Sequence, residues 1–327
     1  MQSMASTTDI AVWGRSVPEW LVRALVASGR VVGDIGGGGA LLPTAFPRAR
    51  VHDDIRTFST RTRGAPLLCT DLLTASDALM LADGRPVIFS VEPLPAAACV
   101  GLRPPRVCLL PGLAHDSMLA QAGDAASDGA QCRHALIEAV APASYGSILA
   151  RLADASRAMV MWMGLPDGVT CALSGPRPAR VSDNAPDAAS RALEGFRGTV
   201  SCLMRFADSR GAAIVASAGA AVWERRVHLQ LTDGSIIADD SMMVRLDTKG
   251  ANLESASVPP EDSGTPESIA AECLASDAQI EREQPGSLAP RTAALVEAIC
   301  LSAITSEWEE PARIEDILAR SSRFADD

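Results

Sequence analysis

The sequence predicts an α/β half, with an open parallel sheet and helices on both faces, followed by an α+β half built on an antiparallel sheet. Three observations predict it. Over the first hundred residues short apolar runs alternate with stretches of helical spacing, the pattern of successive βαβ units. From Gly195 to Val244 short strands follow one another through tight turns. The length of 327 residues suits two domains of ordinary size.

The elements follow in order. Ile10 to Trp13 reads as a strand ending at Gly14. Val17 to Ala27 carries Trp20, Leu21, Ala24 and Leu25 at helical spacing and stops near Gly29. Val31-Val32 begins a second strand, and Gly36 to Gly39 is a four-glycine loop. Pro66 to Cys69 is a third strand. Thr74 and Asp77 have capping-box spacing at the start of a helix through Leu81. Pro86 to Val91 is a strand bounded by Glu92-Pro93. Past about residue 104 the pattern changes. His134 to Val140 is a strand, and Ile148 to Met163 is a strongly apolar helix ending at Gly164-Leu165-Pro166. Ala207-Asp208-Ser209 and Asp233-Gly234 are turns of the antiparallel sheet. Asn252 to Glu267 is polar, contains paired prolines and reads as an exposed loop. Ala289 to Ser306 is a buried closing helix. The domains are therefore set at 1–104 and 105–327.

Composition narrows the function. The net charge is −11, which argues against nucleic-acid backbones and anionic membranes. No apolar run reaches the roughly 18 residues of a membrane helix, and the polar start has no signal-peptide pattern, so a cytoplasmic location is expected. One of the 29 basic residues, Lys249, is lysine, which leaves 28 arginines. The eight cysteines are scattered singly, with no C-x-x-C pair, and are expected to be buried small apolar residues. No metal site is expected. Tyr145 is the only tyrosine.

Several segments together resemble the Gfo/Idh/MocA oxidoreductase family. Gly84 to Leu94, ending Val91-Glu92-Pro93-Leu94, is similar to that family's Glu-Lys-Pro-Leu strand. Ile148 to Pro166 resembles the helix after its Gly-rich turn. Phe206 to Gly211 and Arg225 to Gly234 resemble its sheet hairpins, and Ala293 to Ala303 its closing helix. The resemblance implies a Rossmann-type domain, then a domain with an open, mostly antiparallel sheet. It also implies NAD(P)-linked oxidoreduction of sugar-like substrates and self-association through that sheet.

The functional positions depart from the family. Its G-x-G-x-x-G fingerprint admits the pyrophosphate because glycine leaves the backbone bare. The corresponding positions are Gly14, Ser16 and Glu19. Ser16 and Glu19 also have the spacing of a reciprocal capping box, with Pro18 in the first turn, and this self-capped helix is preferred to cofactor binding. Gly36 falls where the family's ribose-binding acid stands, with Asp34 two residues earlier. Glu92 stands at the catalytic lysine, Ala150 and Asp154 at the family's Asp and His, and Arg157 at the next acidic position. The acid/base players of hydride transfer are therefore missing.

Two function classes follow. In one, no cofactor is expected and the chain is a binding or assembly subunit. In the other it is an NAD(P)-dependent oxidoreductase with relocated groups, Glu92, Asp154 or Tyr145. A small polar ligand in the inter-domain cleft and a homo-oligomer are the expected partners. Arg157 is the preferred structural partner of Asp154, and Tyr145 is preferred as a packed ring. His115-Asp116 reads as a surface loop, His134 and Glu138 as one face of a strand without metal geometry, and His52 beside Asp53-Asp54 as solvated. His228 lies on an exposed or cross-strand face. Gly36 to Gly39 reads as a flexible turn rather than an anion cradle.

Overall fold

The computed structural model describes residues 9–38, 42–101, 106–113, 117–127, 132–176, 188–259, 264–275 and 288–323. The elements in chain order begin β1 (Ile10–Trp13), α1 (Glu19–Ala27), β2 (Val32–Gly36), α2 (Leu42–Ala45), β3 (Arg50–His52) and α3 (Ile55–Arg61). Then come β4 (Leu67–Cys69), α4 (Ala75–Ala82), β5 (Val87–Ser90), α5 (Ala96–Gly101) and β6 (Arg106–Leu109). There follow α6 (Ser117–Ser127), β7 (Cys132–Val140), α7 (Ile148–Met163), β8 (Gly168–Ser174) and α8 (Ala188–Leu193). The sheet strands β9 (Thr199–Arg205), β10 (Gly211–Ser217), β11 (Glu224–Leu231), β12 (Gly234–Asp239), β13 (Met242–Asp247) and β14 (Asn252–Ser257) come next. The chain closes with α9 (Pro266–Ala275), α10 (Leu288–Thr305) and α11 (Pro311–Arg323). Two compact units result: Met1–Pro111 with Pro266–Pro285, and Gly112–Thr265 with Gly286–Asp327.

The first unit holds a six-stranded sheet in the order β3-β2-β1-β4-β5-β6, with every pair parallel. That is the order of the dinucleotide-binding α/β fold, which the alternating pattern predicts. β4 and β5 are buried throughout, as strands covered on both faces must be. Thr74 caps α4 as expected, its hydroxyl accepting the Asp77 N–H. Helix α9 packs on α1. Arg23 reaches Glu267 at 2.7 Å, and Arg30 Nε donates to the Leu274 carbonyl.

The second unit holds an eight-stranded sheet, β14-β13-β12-β11-β7-β10-β9-β8. β7 and β10 run parallel and the remaining pairs are antiparallel. Alternation of burial along β9 and β11 puts one face against α6, α7 and α10 and leaves the other outward. Helix α7 matches its expected bounds and is buried along nearly its whole length, charged residues included. It stops at Gly164, whose φ of +85° suits glycine. The expected loop over 252–267 is corrected: Asn252–Ser257 forms the edge strand β14. Nearly all of it is exposed, so it carries no apolar alternation for a reader to detect.

Glycine is required at one turn. The turn after β2 presses on the chain leaving β1, so a Cβ on Gly37 would lie 2.6 Å from the Gly14 carbonyl oxygen, and its φ is +105°. Gly37→Ala is therefore expected to destabilise the protein by about 2 kcal/mol or more, as strained left-handed positions do. An unchanged urea midpoint would refute the requirement.

Candidate functional site

The positions matching the dinucleotide fingerprint lie in the turn between β1 and α1. The capping box expected there is corrected. Helix α1 begins at Glu19, Pro18 stands at its N-cap, and no side chain caps it. Glu19 is thus the first helical residue rather than the third. Its side chain is 89% exposed and pairs with Arg23 one turn on, at 2.8 Å.

The turn is held from its other side. Asp71, just past β4, accepts the main-chain N–H of Arg15 at 2.8 Å and the Arg15 Nε–H at 2.9 Å, both on Oδ2. Thr70 donates its hydroxyl to the Ser16 carbonyl at 2.7 Å. The Gly14 N–H donates to the Gly36 carbonyl at 3.0 Å. A Cβ on Gly14 would fall 1.9 Å from the Thr70 hydroxyl oxygen, so a side chain here would force the Thr70 hydroxyl off the Ser16 carbonyl. In the dinucleotide fold this turn and the helix end after it present N–H groups to phosphate. Here the chain's own carboxylate holds one of them. Sequence spacing did not find Thr70 or Asp71. The signal is topological: β4 is the neighbour of β1.

Asp34, two residues before Gly36, is held by its own neighbours. Asp34 is buried within β2. One carboxylate oxygen meets His52 Nε2 at 2.7 Å, and the other meets Arg50 Nη2 at 2.9 Å. The expectation of a solvated His52 is corrected. β3 carries it inward, where its side chain is 10% exposed and its ring meets Phe58 edge-on at 5.8 Å. A Cβ on Gly36 would lie 2.5 Å from the Trp13 ring, so the turn is packed at this point. Asp54 caps α3 through the Thr57 N–H. His115 and Asp116 lie outside the described residues.

Glu92 follows β5 in the first unit and is half-buried; the Ser90 hydroxyl donates to its carbonyl at 2.5 Å. Asp154 and Tyr145 belong to the second unit. Asp154 is buried on α7 and accepts the Leu113 N–H on Oδ1 at 2.6 Å. Ala150 one turn before it and Arg157 one turn after are also buried. Tyr145, half-buried ahead of α7, sets its ring 5.5 Å from Trp223, and its carbonyl accepts from Arg151 Nη2. Arg151 and Arg225, each 1% exposed, stack on Trp223 at 4.7 and 5.0 Å. Arg225 is paired with Asp240 at 2.7 Å. Sequence reasoning missed this cluster, although Arg225 shares the inward period of Val227 and Leu229. His134 lies on a strand as expected, with its side chain exposed, and His228 is exposed on its strand as expected. Among the described residues, no group of His, Cys, Asp and Glu could hold a metal ion.

No family model and no curated sequence matches the chain. Solved structures do match in shape. A levoglucosan dehydrogenase in complex with NADH and L-sorbose is 14% identical with a TM-score of 0.70, over 94% of this chain and 99% of its own. An NAD binding oxidoreductase from Klebsiella pneumoniae is 12% identical with a TM-score of 0.65, over 93% and 99%. A UDP-N-acetylglucosamine 3-dehydrogenase from Acidithiobacillus ferrooxidans is 14% identical with a TM-score of 0.61, over 92% and 99%. The fold is that of the Gfo/Idh/MocA-type dehydrogenases, as the sequence segments imply. Among the described residues no helix is long and apolar enough to cross a membrane.

Two substitutions separate the roles described above. Asp154→Ala strips a buried N–H of its acceptor and is expected to cost at least about 1–3 kcal/mol. Glu19→Ala removes only an exposed helix pair and is expected to stay within about 0.5 kcal/mol. Denaturant unfolding of both variants decides; a Glu19→Ala loss as large as that of Asp154→Ala would restore the capping box.

Proposed function

We propose that this chain is a Gfo/Idh/MocA-fold protein without nicotinamide-linked redox activity, acting in the cytoplasm as a binding or assembly subunit. One observation carries the reading: the Asp71 carboxylate occupies the Arg15 N–H of the β1–α1 turn. A pyrophosphate entering this turn displaces that carboxylate and then sits beside its negative charge. The acid/base inventory supports the same reading. Glu92 stands where the family resemblance expects lysine. The chain's only lysine, Lys249, lies in the turn between β13 and β14 of the other unit. Asp154, at the position of the family's histidine, spends one oxygen on the Leu113 main chain.

The second reading is an NAD(P)-dependent oxidoreductase on a sugar-like substrate, using Glu92, Asp154 or Tyr145. The shape likeness to dehydrogenases, one of them in complex with NADH, favours it. So does the N-terminus of α1, which no side chain caps.

The outward face of the second unit's sheet supports the assembly role. Cross-strand register aligns Val244, Ile237, His228, Leu136, Ala213 and Leu203 in one row. Leu203 is 63% and Ile237 44% exposed, and Met242 on the same face is 41% exposed. An apolar row of this extent on a sheet face is characteristic of an interaction surface. A second copy of the chain is the proposed partner. Sedimentation at micromolar concentration is expected to give a dimer or larger; a species of 34.1 kDa would remove the assembly reading.

The cofactor reading has its own measurement. A binder with a dissociation constant near 10 μM gains about 2.7 kcal/mol at about 1 mM ligand. In a protein of this size that is several degrees of melting temperature, at about 2–4 °C per kcal/mol. NAD(H) and NADP(H) at about 1 mM are expected to leave the melting curve unmoved. A reproducible rise of several degrees with either promotes the oxidoreductase instead.

A further inference from the structure

All eight cysteines are free, and seven are buried. Two of them meet. Cys171 on β8 and Cys202 on β9 are direct partners in antiparallel register, with their Sγ atoms 3.0 Å apart. Directly opposite residues in such a pair have Cα atoms about 4.5 or 5.5 Å apart, according to the ladder position. Both values lie inside the range of about 4.4–6.8 Å that a disulfide spans. The register itself, rather than one choice of rotamer, therefore places the two thiols within bonding reach. The backbone of Cys171 is anchored on its outer side. The Cys171 N–H donates to the Ser302 hydroxyl on α10 at 3.0 Å, and that hydroxyl donates to the Glu307 carbonyl at 2.5 Å.

We propose that Cys171 and Cys202 form an oxidative modification site, closing an intramolecular disulfide between β8 and β9 when the protein meets an oxidant of the peroxide class. Cys171 reacts first, because it is 8% exposed and Cys202 only 1%. Its thiolate sulfur attacks one peroxide oxygen and the O–O bond breaks. The proton it gave up ends on the departing oxygen as water, leaving a sulfenic acid. The Cys202 sulfur then attacks the sulfenic sulfur, and the hydroxyl leaves with the Cys202 proton as a second water. Two thiols lose two electrons in total, and one hydrogen peroxide is reduced to two waters.

The surroundings set the pace. The contact with Cys171, together with burial, pushes the Cys202 thiol well above its usual range, and buried Cys300 adds to the effect. The Cys202 thiolate is therefore scarce, which slows the resolving step, and burial of Cys171 makes peroxide entry wait on opening of β8, which is an edge strand. This makes the pair a slow responder that then stays locked, not a fast sensor. The inference stands on the second unit alone and is independent of what the first unit binds.

The test uses the full chain in its native state. The protein is treated with hydrogen peroxide, alkylated in denaturant, digested and analysed by peptide mass spectrometry. The expected product is one cross-linked peptide pair joining Cys171 to Cys202, lighter by two hydrogens and reversed by dithiothreitol. Closing this loop in the unfolded chain is expected to raise the melting temperature by several degrees. In Cys202→Ser the sulfenic acid on Cys171 has no resolving partner and is expected to be captured by dimedone. Recovery of both residues alkylated in the oxidised wild-type protein overturns the proposal. So does a disulfide that joins either of them to Cys300 or to a second chain instead.

Discussion

The Asp71 carboxylate holds the main chain of Arg15, and the shape of the first unit's β1–α1 turn follows from that bond. The turn is clamped between two neighbours. On one side Thr70 and Asp71 bind it from the end of β4; on the other, the Gly36 carbonyl accepts the Gly14 N–H and Gly37 presses on Gly14 without room for a side chain. Apart from the Arg15 Nε–H bond to Asp71, these contacts fix backbone rather than a long side chain, so they cost little conformational entropy beyond what folding already spends. β1 is the strand between β2 and β4, which is why residues far apart in sequence converge at this one turn.

In the second unit the comparable constraint is helix α7. It is buried on almost every side and yet carries Arg151, Asp154 and Arg157 in the interior. Buried charges persist only where they are partnered. Asp154 takes the Leu113 N–H, and Arg151 takes the Tyr145 carbonyl and the face of Trp223. Helix α7 is thus a polar strut inside a hydrophobic layer. Removing one member of such a strut leaves the other desolvated, which makes these positions poor candidates for free substitution.

Strongly apolar, periodic segments were legible in the sequence. α7 is an example, since its apolar spacing and terminal glycine state both its type and its end. Thr74 was legible as a cap because Asp77 sits three residues on and the helix starts where the spacing requires. The same logic failed at Ser16 and Glu19, where Pro18 delays the helix by two residues and turns a capping pair into an exposed acid. β3 and β14 were illegible for a different reason. Arg50-Val51-His52 holds one apolar residue, and Asn252–Ser257 buries almost nothing, so neither carries a period. The fold class survived these omissions because β1, β2, β4 and β5 suffice to state a parallel sheet. Of the site, the motif positions were legible. Asp71, the His52–Asp34 pair and the Trp223 cluster were not, since each depends on which strands are neighbours.

Shape likeness does not by itself carry chemistry, for a physical reason. A fold is specified by many backbone and core contacts, whereas a nucleotide site depends on a few N–H groups and side chains. The same β1–α1 turn can thus exist in a dehydrogenase and in a protein that fills the turn itself. The magnitude decides how much the difference matters. A hydrogen bond to a charged group contributes about 1.5–3 kcal/mol, and the partial exposure of Asp71 puts this one at the lower end. Displacing it alone weakens a phosphate ligand by about tenfold. The displaced carboxylate then remains close to the phosphates, and like charges at short range in a partly buried turn add to that loss. On the proposed reading, a single acid placed by the neighbouring strand sets this turn against a dinucleotide while leaving the backbone in the family's shape.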